Sequence, residues 1–375
     1  MKRWYLDANA NYGLLDTVKE ALATFQAVGN PNSLHYFGQN LKAEVEETRE
    51  AVRKFVGASD DDYVLFCSGA TEAANWLAYC VKQKEVKVEV CAADHSCVRE
   101  SFWGYDKANF FVVDYLVSDP CDAVLDYLAK RSFGSLFLIH AHNETGVIFD
   151  IERIAKQLKG TTPEVLIVSD FVQSFCKLNL VPFRESLIDA IFISGHKIGS
   201  LPGVGVVIAK KTFPISPLIK GGSQERYLRG GTENYPAIFS LKHALSYWSS
   251  LGPEAVASKY WQLKNYFISE LKSALEAKLV RFEFLFEKWP TIGNTIYVTF
   301  PGKRSTEFLV KLDLLGVCAS AGSACYSGKP LSPSLEGFGV PQELAQGSLR
   351  LSFRLDFNMQ DVPEVCKIIA RVLAD

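Results

Sequence analysis

The sequence lacks the features that mark nucleic-acid-binding, secreted and membrane-spanning proteins. Its formal net charge is −2 and no dense run of Lys and Arg occurs, which argues against nucleic acid or an anionic membrane as the main partner. No apolar run approaches the roughly 20 residues of a membrane span, and the segment from Met1 to Asp7 contains no signal-peptide core. We therefore expect a cytoplasmic protein.

Metal-binding and nucleotide-binding signatures are also missing. The chain has six histidines and nine cysteines but no Cys-x-x-Cys pair, which argues against a structural zinc or a self-contained iron–sulfur site. Cys67, Cys80, Cys91 and Cys318 lie in apolar stretches, where buried reduced thiols are expected. The glycine-rich segment 199–205 lacks the Lys-Ser/Thr of a P-loop, and no Gly-x-Gly-x-x-Gly opens a helix, so a nucleotide-binding fold is a poor competitor.

What the sequence does contain is a long alternation of apolar runs and helical patterns. Its 375 residues exceed the roughly 250–300 at which one hydrophobic core stops growing, so two domains are expected. Seven runs rich in Val, Ile, Leu and Phe, without polar alternation, are typical of strands buried on both faces. They are Tyr63–Cys67, Val86–Cys91, Phe110–Val113, Leu136–His140, Val165–Ser169, Ala190–Ser194 and Val204–Ala209. Amphipathic helices such as Leu41–Val56 and Ile151–Leu158 precede or separate them.

This pattern predicts an α/β domain with a mainly parallel seven-stranded sheet over residues 14–252. The pattern changes after about residue 250, and a smaller α+β domain is predicted from residues 1–13 and 253–375. Its predicted elements before the last helix are a long helix near Glu254–Leu279, a strand at Thr295–Phe300, a helix near Thr306–Leu315 and a strand at Ser348–Phe353.

The polar residues that follow the apolar runs are informative, because ligands of open α/β sheets bind beyond the carboxyl ends of the strands. Thr71, His95, Asn143, Asp170 and Lys197 each follow one strand candidate closely. Singly, each residue has an ordinary explanation: a helix N-cap, a core or surface histidine, or a solvated lysine. Together they meet the needs of one ligand.

The ligand that this set suits is pyridoxal phosphate. The small, glycine-containing turn before Thr71 enters a helix and offers backbone N–H groups to a phosphate. Asp170 suits a pyridinium nitrogen, and Lys197 suits a Schiff base with the aldehyde. His95 suits stacking on the ring and proton transfer. The candidates for the ring oxygen are Asn143 and Gln173.

Ten short motifs, in this order and spacing, resemble the cysteine desulfurases of the NifS/IscS type. These belong to the class V aminotransferase family of fold-type I pyridoxal-phosphate enzymes. The motifs are Tyr5-Leu6-Asp7, Gly29-Asn30-Pro31-Asn32-Ser33, Ser68-Gly69-Ala70-Thr71-Glu72, Asn143-Glu144-Thr145-Gly146, Asp170-Phe171-Val172-Gln173, Ser194-Gly195-His196-Lys197, Gln224-Glu225-Arg226, Arg229-Gly230-Gly231-Thr232-Glu233-Asn234, Gly322-Ser323-Ala324-Cys325 and Ser348-Leu349-Arg350-Leu351-Ser352. The resemblance implies a fold-type I architecture, with the catalytic cysteine loop on the small domain.

By this resemblance, roles carry over position by position. The implied catalytic residues are Lys197, Cys325 and His95. The implied cofactor-binding residues are Ala70, Thr71, His95, Asn143, Asp170, Gln173, Ser194, His196, Lys197 and Thr232. Thr232 would reach the phosphate of the other subunit, which implies a homodimer with shared active sites. Arg350 and Asn32 would bind the substrate, with the Arg350 guanidinium on its α-carboxylate.

Cys325 separates this family from ordinary aminotransferases, and it lies among small residues that suit an accessible nucleophile. The alternative is an incidental loop cysteine. The implied reaction converts L-cysteine to L-alanine, leaves a persulfide on Cys325 and passes sulfur to an acceptor such as an iron–sulfur scaffold protein, for cluster assembly or thiolation. A selenocysteine lyase or another class V enzyme stays open, as does a catalytically silent paralogue that serves as a binding partner.

The sequence departs from the family pattern in several places. The segment from Asp7 to Gly13, near the substrate entrance in relatives, lacks the usual Asn-Ala-Ala-Thr-Thr-Pro, and Phe171 replaces an Ala. The loop after Cys325 differs, and housekeeping members carry a longer tail beyond the last helix. We therefore expect another acceptor, or another mode of docking a scaffold.

Overall fold

The computed structural model describes residues 2–26, 28–322 and 332–374 of the chain. Its strands are β1 (Trp4–Tyr5), β2 (Tyr63–Cys67), β3 (Val88–Cys91), β4 (Ala108–Phe111), β5 (Ser135–Ile139), β6 (Leu166–Asp170), β7 (Ala190–Ser194), β8 (Gly205–Ala209), β9 (Thr295–Thr299), β10 (Val317–Cys318) and β11 (Ser348–Ser352). Its α-helices are α1 (Asp16–Thr24), α2 (Tyr36–Val56), α3 (Ala70–Lys82), α4 (Ser96–Arg99), α5 (Pro120–Leu128), α6 (Ile151–Thr161), α7 (Tyr235–Leu251), α8 (Pro253–Glu276), α9 (Ser305–Leu314), α10 (Pro333–Glu336), α11 (Gln342–Ala345) and α12 (Val362–Ala374).

Strands β2 to β8 form one sheet of seven strands in the order β2-β8-β7-β6-β5-β3-β4. The strands from β7 to β4 in that order pair in parallel, whereas β8 is antiparallel to both of its neighbours. Six strands therefore run in one direction and bring their carboxyl ends to one edge. The predicted mainly parallel, seven-stranded sheet is confirmed.

Most of the sheet is buried on both faces, because its strands are predominantly apolar and only the edge strand β4 has exposed positions. In β2, Val64 and Phe66 face one hydrophobic core, while Leu65 and Cys67 face the core on the other side. This explains why the strands show no polar alternation in the sequence. Burying a large aliphatic or aromatic side chain in this way contributes about 1.5–3 kcal/mol.

Helix α2 is longer than the pattern predicted. The apolar stripe suggested a start at Leu41, but the helix begins at Tyr36, where His35 Nδ1 accepts a hydrogen bond from the Gly38 N–H. That cap adds a first turn with exposed side chains, which lies outside the apolar stripe and which hydrophobic periodicity therefore does not detect. The helix ends as predicted at Gly57, whose φ of 64° is left-handed and suits a glycine.

A third core cluster joins the two ends of the chain. Trp4 and Leu6 pack there with Phe267, Leu351 and Ile369. Beside it, β9 pairs with β11 antiparallel and β1 pairs with β10 in parallel. This is the composition expected of a second unit built from 1–13 and 253–375, although the domain boundaries themselves stay a prediction.

Cysteine burial follows the prediction at three of the four positions. Cys67, Cys80 and Cys91 are buried, but Cys318 is only partly buried, which corrects that expectation. Its strand, β10, is two residues long and lies beside the exposed side chains of Arg3 and Asp313, so an apolar stretch here does not imply a covered thiol.

The helices are amphipathic rather than uniformly apolar. The longest of those described, α8, has 24 residues and buries one face through residues such as Val256, Leu263 and Phe267. Within residues 2–26, 28–322 and 332–374, none combines the length and the apolar character needed to cross a membrane.

Candidate active site

The carboxyl edge of the sheet lines a cavity of about 440 Å³. Ten of the thirteen residues singled out in the sequence lie on its wall. They are Ala70, Thr71, His95, Asn143, Asp170, Gln173, Ser194, His196, Lys197 and Arg350. The order of the strands therefore gathers residues that are up to 280 positions apart in the sequence, from Ala70 to Arg350.

Two of the other three predicted site residues do not line the cavity in the described chain. Thr232 and Asn32 are exposed on loops. Cys325 lies outside the described residues. Their roles stay predictions.

The two described residues that flank Cys325 in the sequence lie beside Glu144, the neighbour of Asn143. Ser332 Oγ donates a hydrogen bond to Glu144 Oε1 at 2.8 Å. A Cβ added to Gly322 would lie 2.7 Å from Glu144 Oε2, so the backbone of Gly322 approaches this carboxylate closely. Both chain ends of the segment that contains Cys325 thus start next to the cavity wall.

Helix α3 presents its N-terminus to the cavity. Gly69 is the N-cap residue and provides no side-chain hydrogen bond to the first turn. The first N–H groups of a helix have no partner within the helix, and the helix dipole makes this end positive. Gly69, Ala70 and Thr71 line the cavity at this point, which makes the turn suitable for a phosphate.

Lys197 follows β7 and is held by two backbone carbonyls. Its Nζ donates hydrogen bonds to the oxygens of Asn9 at 2.7 Å and Ala10 at 2.8 Å. The amine is therefore oriented by the N-terminal segment, which belongs to the other predicted domain. On the same turn, Ser194 Oγ and His196 Nδ1 lie 2.9 Å apart.

Asp170 ends β6 and is 5% exposed. Its Oδ1 accepts a hydrogen bond from the Val172 N–H at 2.8 Å. Burial raises the pKa of Asp170 to about 7, against the smaller opposing effects of that N–H group and of the Lys197 charge. A cationic partner in the cavity would favour the ionised carboxylate.

His95 follows β3 and caps helix α4. Its Nδ1 accepts a hydrogen bond from the Cys97 N–H at 3.1 Å. Burial, and to a smaller extent the charge of Lys197, lowers the pKa of His95 to about 4. The ring is therefore neutral near pH 7 and carries its proton on Nε2, the nitrogen that can act as a donor.

Asn9 is a site residue that the sequence reasoning missed. Its Nδ2 donates to Asn143 O at 3.1 Å and to Thr295 Oγ1 at 2.9 Å, and its Oδ1 accepts from Asn294 Nδ2 at 2.9 Å. Its carbonyl accepts from Gln173 as well as from Lys197. The only signal in the sequence was that the segment from Asp7 to Gly13 departs from the family pattern.

Arg350, in β11, closes the small-domain side of the cavity and is 1% exposed. Its Nη1 donates to Asn143 O at 2.9 Å, and its Nη2 contacts Asp7 Oδ1 at 2.5 Å. Its Nε and the Oδ1 of Asn143 are buried without a hydrogen-bond partner in the described part of the chain. A ligand carboxylate at Arg350 would therefore share or replace the contact with Asp7.

Cys97 also lines the cavity, and no spacing in the sequence pointed to it. Burial raises the pKa of Cys97 well above its ordinary value, with the nearby carboxylates of Asp170 and Asp94 as smaller causes. The group is a neutral thiol that contributes to the wall of the cavity.

Comparison with known proteins places the chain in a family. The family described as Aminotransferase class-V matches residues 4–365. The cysteine desulfurase IscS of Dictyoglomus turgidum is 31% identical over 385 residues, covering 98% of this chain and 94% of that protein. The cysteine desulfurase NifS of Azotobacter vinelandii is 28% identical over 385 residues, covering 99% and 92%. A solved structure described as a NifS-like protein has a TM-score of 0.87 at 28% identity and covers 99% of each chain.

The chain belongs to the class-V aminotransferase family. The predicted resemblance to cysteine desulfurases of the IscS and NifS type is confirmed, because these relatives match it over nearly its whole length. The fold-type I architecture predicted from the motifs is confirmed by the NifS-like structure.

Proposed function

We propose that this protein is a cysteine desulfurase that binds pyridoxal phosphate, converts L-cysteine to L-alanine and carries the removed sulfur on Cys325. One observation supports this above all. A single cavity brings together Lys197, Asp170, His95 and the N-terminus of α3, in a chain whose full-length relatives are cysteine desulfurases. Each of these groups meets a different part of the cofactor.

The residues present fit pyridoxal phosphate. The turn into α3 suits its phosphate, and the buried Asp170, whose pKa is raised, suits its ring nitrogen. The Oδ1 of Asn143 is buried without a hydrogen-bond partner among the described residues and is therefore available to a polar group of the cofactor. Ile139 and Val172 supply apolar wall for a flat ring. When bound, pyridoxal phosphate supplies an electron sink for the substrate Cα.

The chain's own residues perform the remaining steps. Lys197, whose Nζ is oriented by the carbonyls of Asn9 and Ala10, would hold the cofactor, and its free amine would serve as the base that moves the proton of the substrate Cα. His95, with its proton on Nε2, is a neutral donor at the same cavity. Arg350 binds the substrate carboxylate through its buried guanidinium.

Sulfur leaves the substrate as follows. The Cys325 thiolate attacks the substrate sulfur, the bond between that sulfur and the substrate Cβ breaks, and Cβ takes up a proton to give alanine. The products are alanine and a Cys325 persulfide, so atoms and electrons balance without an external oxidant. An acceptor protein, such as an iron–sulfur scaffold, then collects the terminal sulfur.

The proposal includes a cytoplasmic homodimer with shared sites. The exposure of Thr232 in the single chain is compatible with a role at the cofactor phosphate of a second copy. Asn32 is exposed in the same way and would contact the substrate only from a rearranged or neighbouring surface.

The test is to purify the protein, look for a yellow colour that borohydride bleaches, and measure alanine and sulfide from L-cysteine with a thiol reductant. Cys325→Ala should keep the colour and lose the protein persulfide and sulfide release. Cys318→Ala, which changes the partly buried cysteine beside Arg3, is the matched control and should behave as wild type. A colourless protein, or full sulfide release by Cys325→Ala, would contradict the proposal.

A further inference from the structure

One buried cation next to the cavity has no part in the chemistry above. Lys177 is 1% exposed and lies one turn after Gln173, in the segment that follows β6. Its Nζ donates a hydrogen bond to Gln173 Oε1 at 2.9 Å. Lys177 does not line the cavity, whereas Gln173 does. The lysine is therefore separated from the cavity by Gln173, a residue of the cavity wall.

The two contacts of Gln173 fix which way its carboxamide points. A protonated lysine can only donate, so the atom of Gln173 that faces it is the oxygen. A backbone carbonyl can only accept, so the atom that faces Asn9 O, at 3.0 Å, is the nitrogen. Reversal of the amide would place nitrogen against Nζ and oxygen against a carbonyl. The second N–H of Gln173 is thus kept on the cavity side.

We propose that Lys177 is a positioning residue, which acts through Gln173 and keeps an N–H donor directed at the ring oxygen of a ligand in the cavity. This inference rests on the proposed function, because it takes pyridoxal phosphate as the ligand. It assigns a role to a residue that touches neither cofactor nor substrate.

Burial of the Lys177 amine costs free energy of folding, so its position beside Gln173 calls for a functional explanation. A buried amine with one hydrogen bond is a poor contributor to stability. Burial, and to a smaller extent the charges of Lys197 and Arg350, lowers the pKa of Lys177 to about 7. The amine keeps N–H groups in both of its protonation states, so the contact to Gln173 Oε1 persists on either side of that pH. Loss of the lysine leaves Gln173 Oε1 buried and unsatisfied, which drives the side chain to another orientation.

The test uses Lys177→Met holoenzyme and the pH dependence of its visible absorbance. A hydrogen bond donated to the ring oxygen stabilises its deprotonated form, so the proton shared with the Lys197 nitrogen leaves at a lower pH. Losing one hydrogen bond should raise the absorbance midpoint by about half a pH unit or more. Affinity for added pyridoxal phosphate, from fluorescence, should fall by about 2- to 10-fold.

Lys264 provides a matched control, because it is the same kind of buried amine away from the cavity. It donates to Thr291 Oγ1 and Ile292 O, and burial lowers the pKa of Lys264 to about 7 as well. Lys264→Met should cost stability and leave the absorbance midpoint unchanged. Lys177→Arg, which keeps a donor, should restore the wild-type midpoint. If Lys177→Met does not fold, Lys177→Ala, which also lacks a donor, gives the same comparison.

Gln173→Leu should show the same shift as Lys177→Met, and the double variant should show no more than either. An unshifted midpoint in Lys177→Met or Lys177→Ala overturns the inference, and so does an additive double variant. A wild-type protein without colour overturns the proposed function instead, so the two failures are distinguishable.

Discussion

At the carboxyl edge of the sheet, one chain brings the predicted site residues together by itself, whereas on the exposed loops it does not. At the edge, Lys197 and Gln173 are both tied to the carbonyl of Asn9, and Asp170 is 5% exposed. On the loops, Thr232 is exposed, and so are the neighbouring apolar side chains of residues such as Tyr227, at 73%. The edge is organised by the strand order of this chain alone, whereas the loops carry predicted site residues that do not line the cavity of the described chain.

The loop that carries Thr232 is nevertheless fixed at its root. Glu225, Arg226 and Tyr227 have left-handed φ values of 45°, 59° and 65°, a conformation that costs each of them of the order of 1 kcal/mol. The side chain of Glu225 turns inward and meets the Arg49 guanidinium at 2.7 and 2.8 Å. It also accepts the Phe66 N–H at 2.8 Å. The base of this loop is therefore held in a defined conformation by contacts with the rest of the chain.

The largest effect is expected from Lys197→Ala, which tests the self-sufficiency of the edge. Removal of the amine should lower alanine formation by about a hundredfold to ten-thousandfold and abolish borohydride-sensitive colour. Lys211→Ala is the control, since that lysine is exposed and pairs with Asp61 at 3.2 Å. Retained activity and colour in Lys197→Ala would mean that the cavity works by other residues.

The next largest effect is expected at the ion pair between Arg49 and Glu225, which holds the base of the loop against the large domain. Arg49→Met leaves Glu225 buried without its cation, which should lower the free energy of unfolding in urea by about 3–5 kcal/mol. Lys211→Met removes an exposed ion pair and should change it by about 0–1 kcal/mol. Equal small losses in both variants would show that the root of the loop is held by something else.

Thr232→Ala tests whether the loop completes the site of a second copy. Loss of a hydrogen bond to a charged phosphate, about 1.5–3 kcal/mol, should weaken pyridoxal phosphate binding by about 10- to 100-fold. Co-refolding Thr232→Ala with Lys197→Ala should restore one good site per mixed dimer, because the Lys197→Ala copy supplies the missing threonine. No recovery on mixing would place Thr232 in its own subunit's site, or in none.

The smallest effect concerns the neutral histidines of the edge and appears only in acid. Burial lowers the pKa of His142 to about 3, below its ordinary value of about 6.5. The unfolded chain therefore binds this proton first, and the stability that neutral His142 provides is full above pH ~6.5 and is lost as the pH falls towards 3. Urea midpoints from pH 7.5 to 4.5 should fall less steeply in His142→Gln.

Asp170→Asn is the opposite control for that pH dependence. Because the pKa of Asp170 is raised to about 7, the folded protein gains stability from its protonation as the pH falls from 7 towards about 4. Removing the carboxyl should make the acid loss steeper in cofactor-free protein. Identical pH profiles for all three proteins would show that other groups control the acid transition.

The sequence predicts the strands of the sheet better than it predicts their arrangement. All seven strands of the large sheet were predicted, with ends displaced by no more than two residues, because continuous apolar runs mark doubly buried strands. The apolar runs and the polar residues after them do not give the order of the strands. Nothing in the sequence pattern indicates that β8 runs in the opposite direction. Residues at strand ends were found because the six strands that run in one direction bring their carboxyl ends to one edge.

The remaining site residues depend on contacts that no local pattern encodes. Asn9 enters the cavity because the segment after β1 crosses from one unit to the other, and Cys97 does so because α4 turns its first residues inward. Lys177 looks like a surface lysine in the sequence and is buried in the structure. Long-range packing decides these positions, and propensity or periodicity does not report it.

The contacts of the N-terminal segment can form only late in synthesis, because their partners lie near the other end of the sequence. Trp4 of β1 pairs with Val317 of β10, and Asn9 bonds to Asn294 and Thr295. A chain growing on the ribosome can pair all seven strands of the large sheet once Ala209 has emerged, while β1 still waits for its partner. The cavity wall includes Arg350 as well, so the cavity is completed only after that residue has been synthesised.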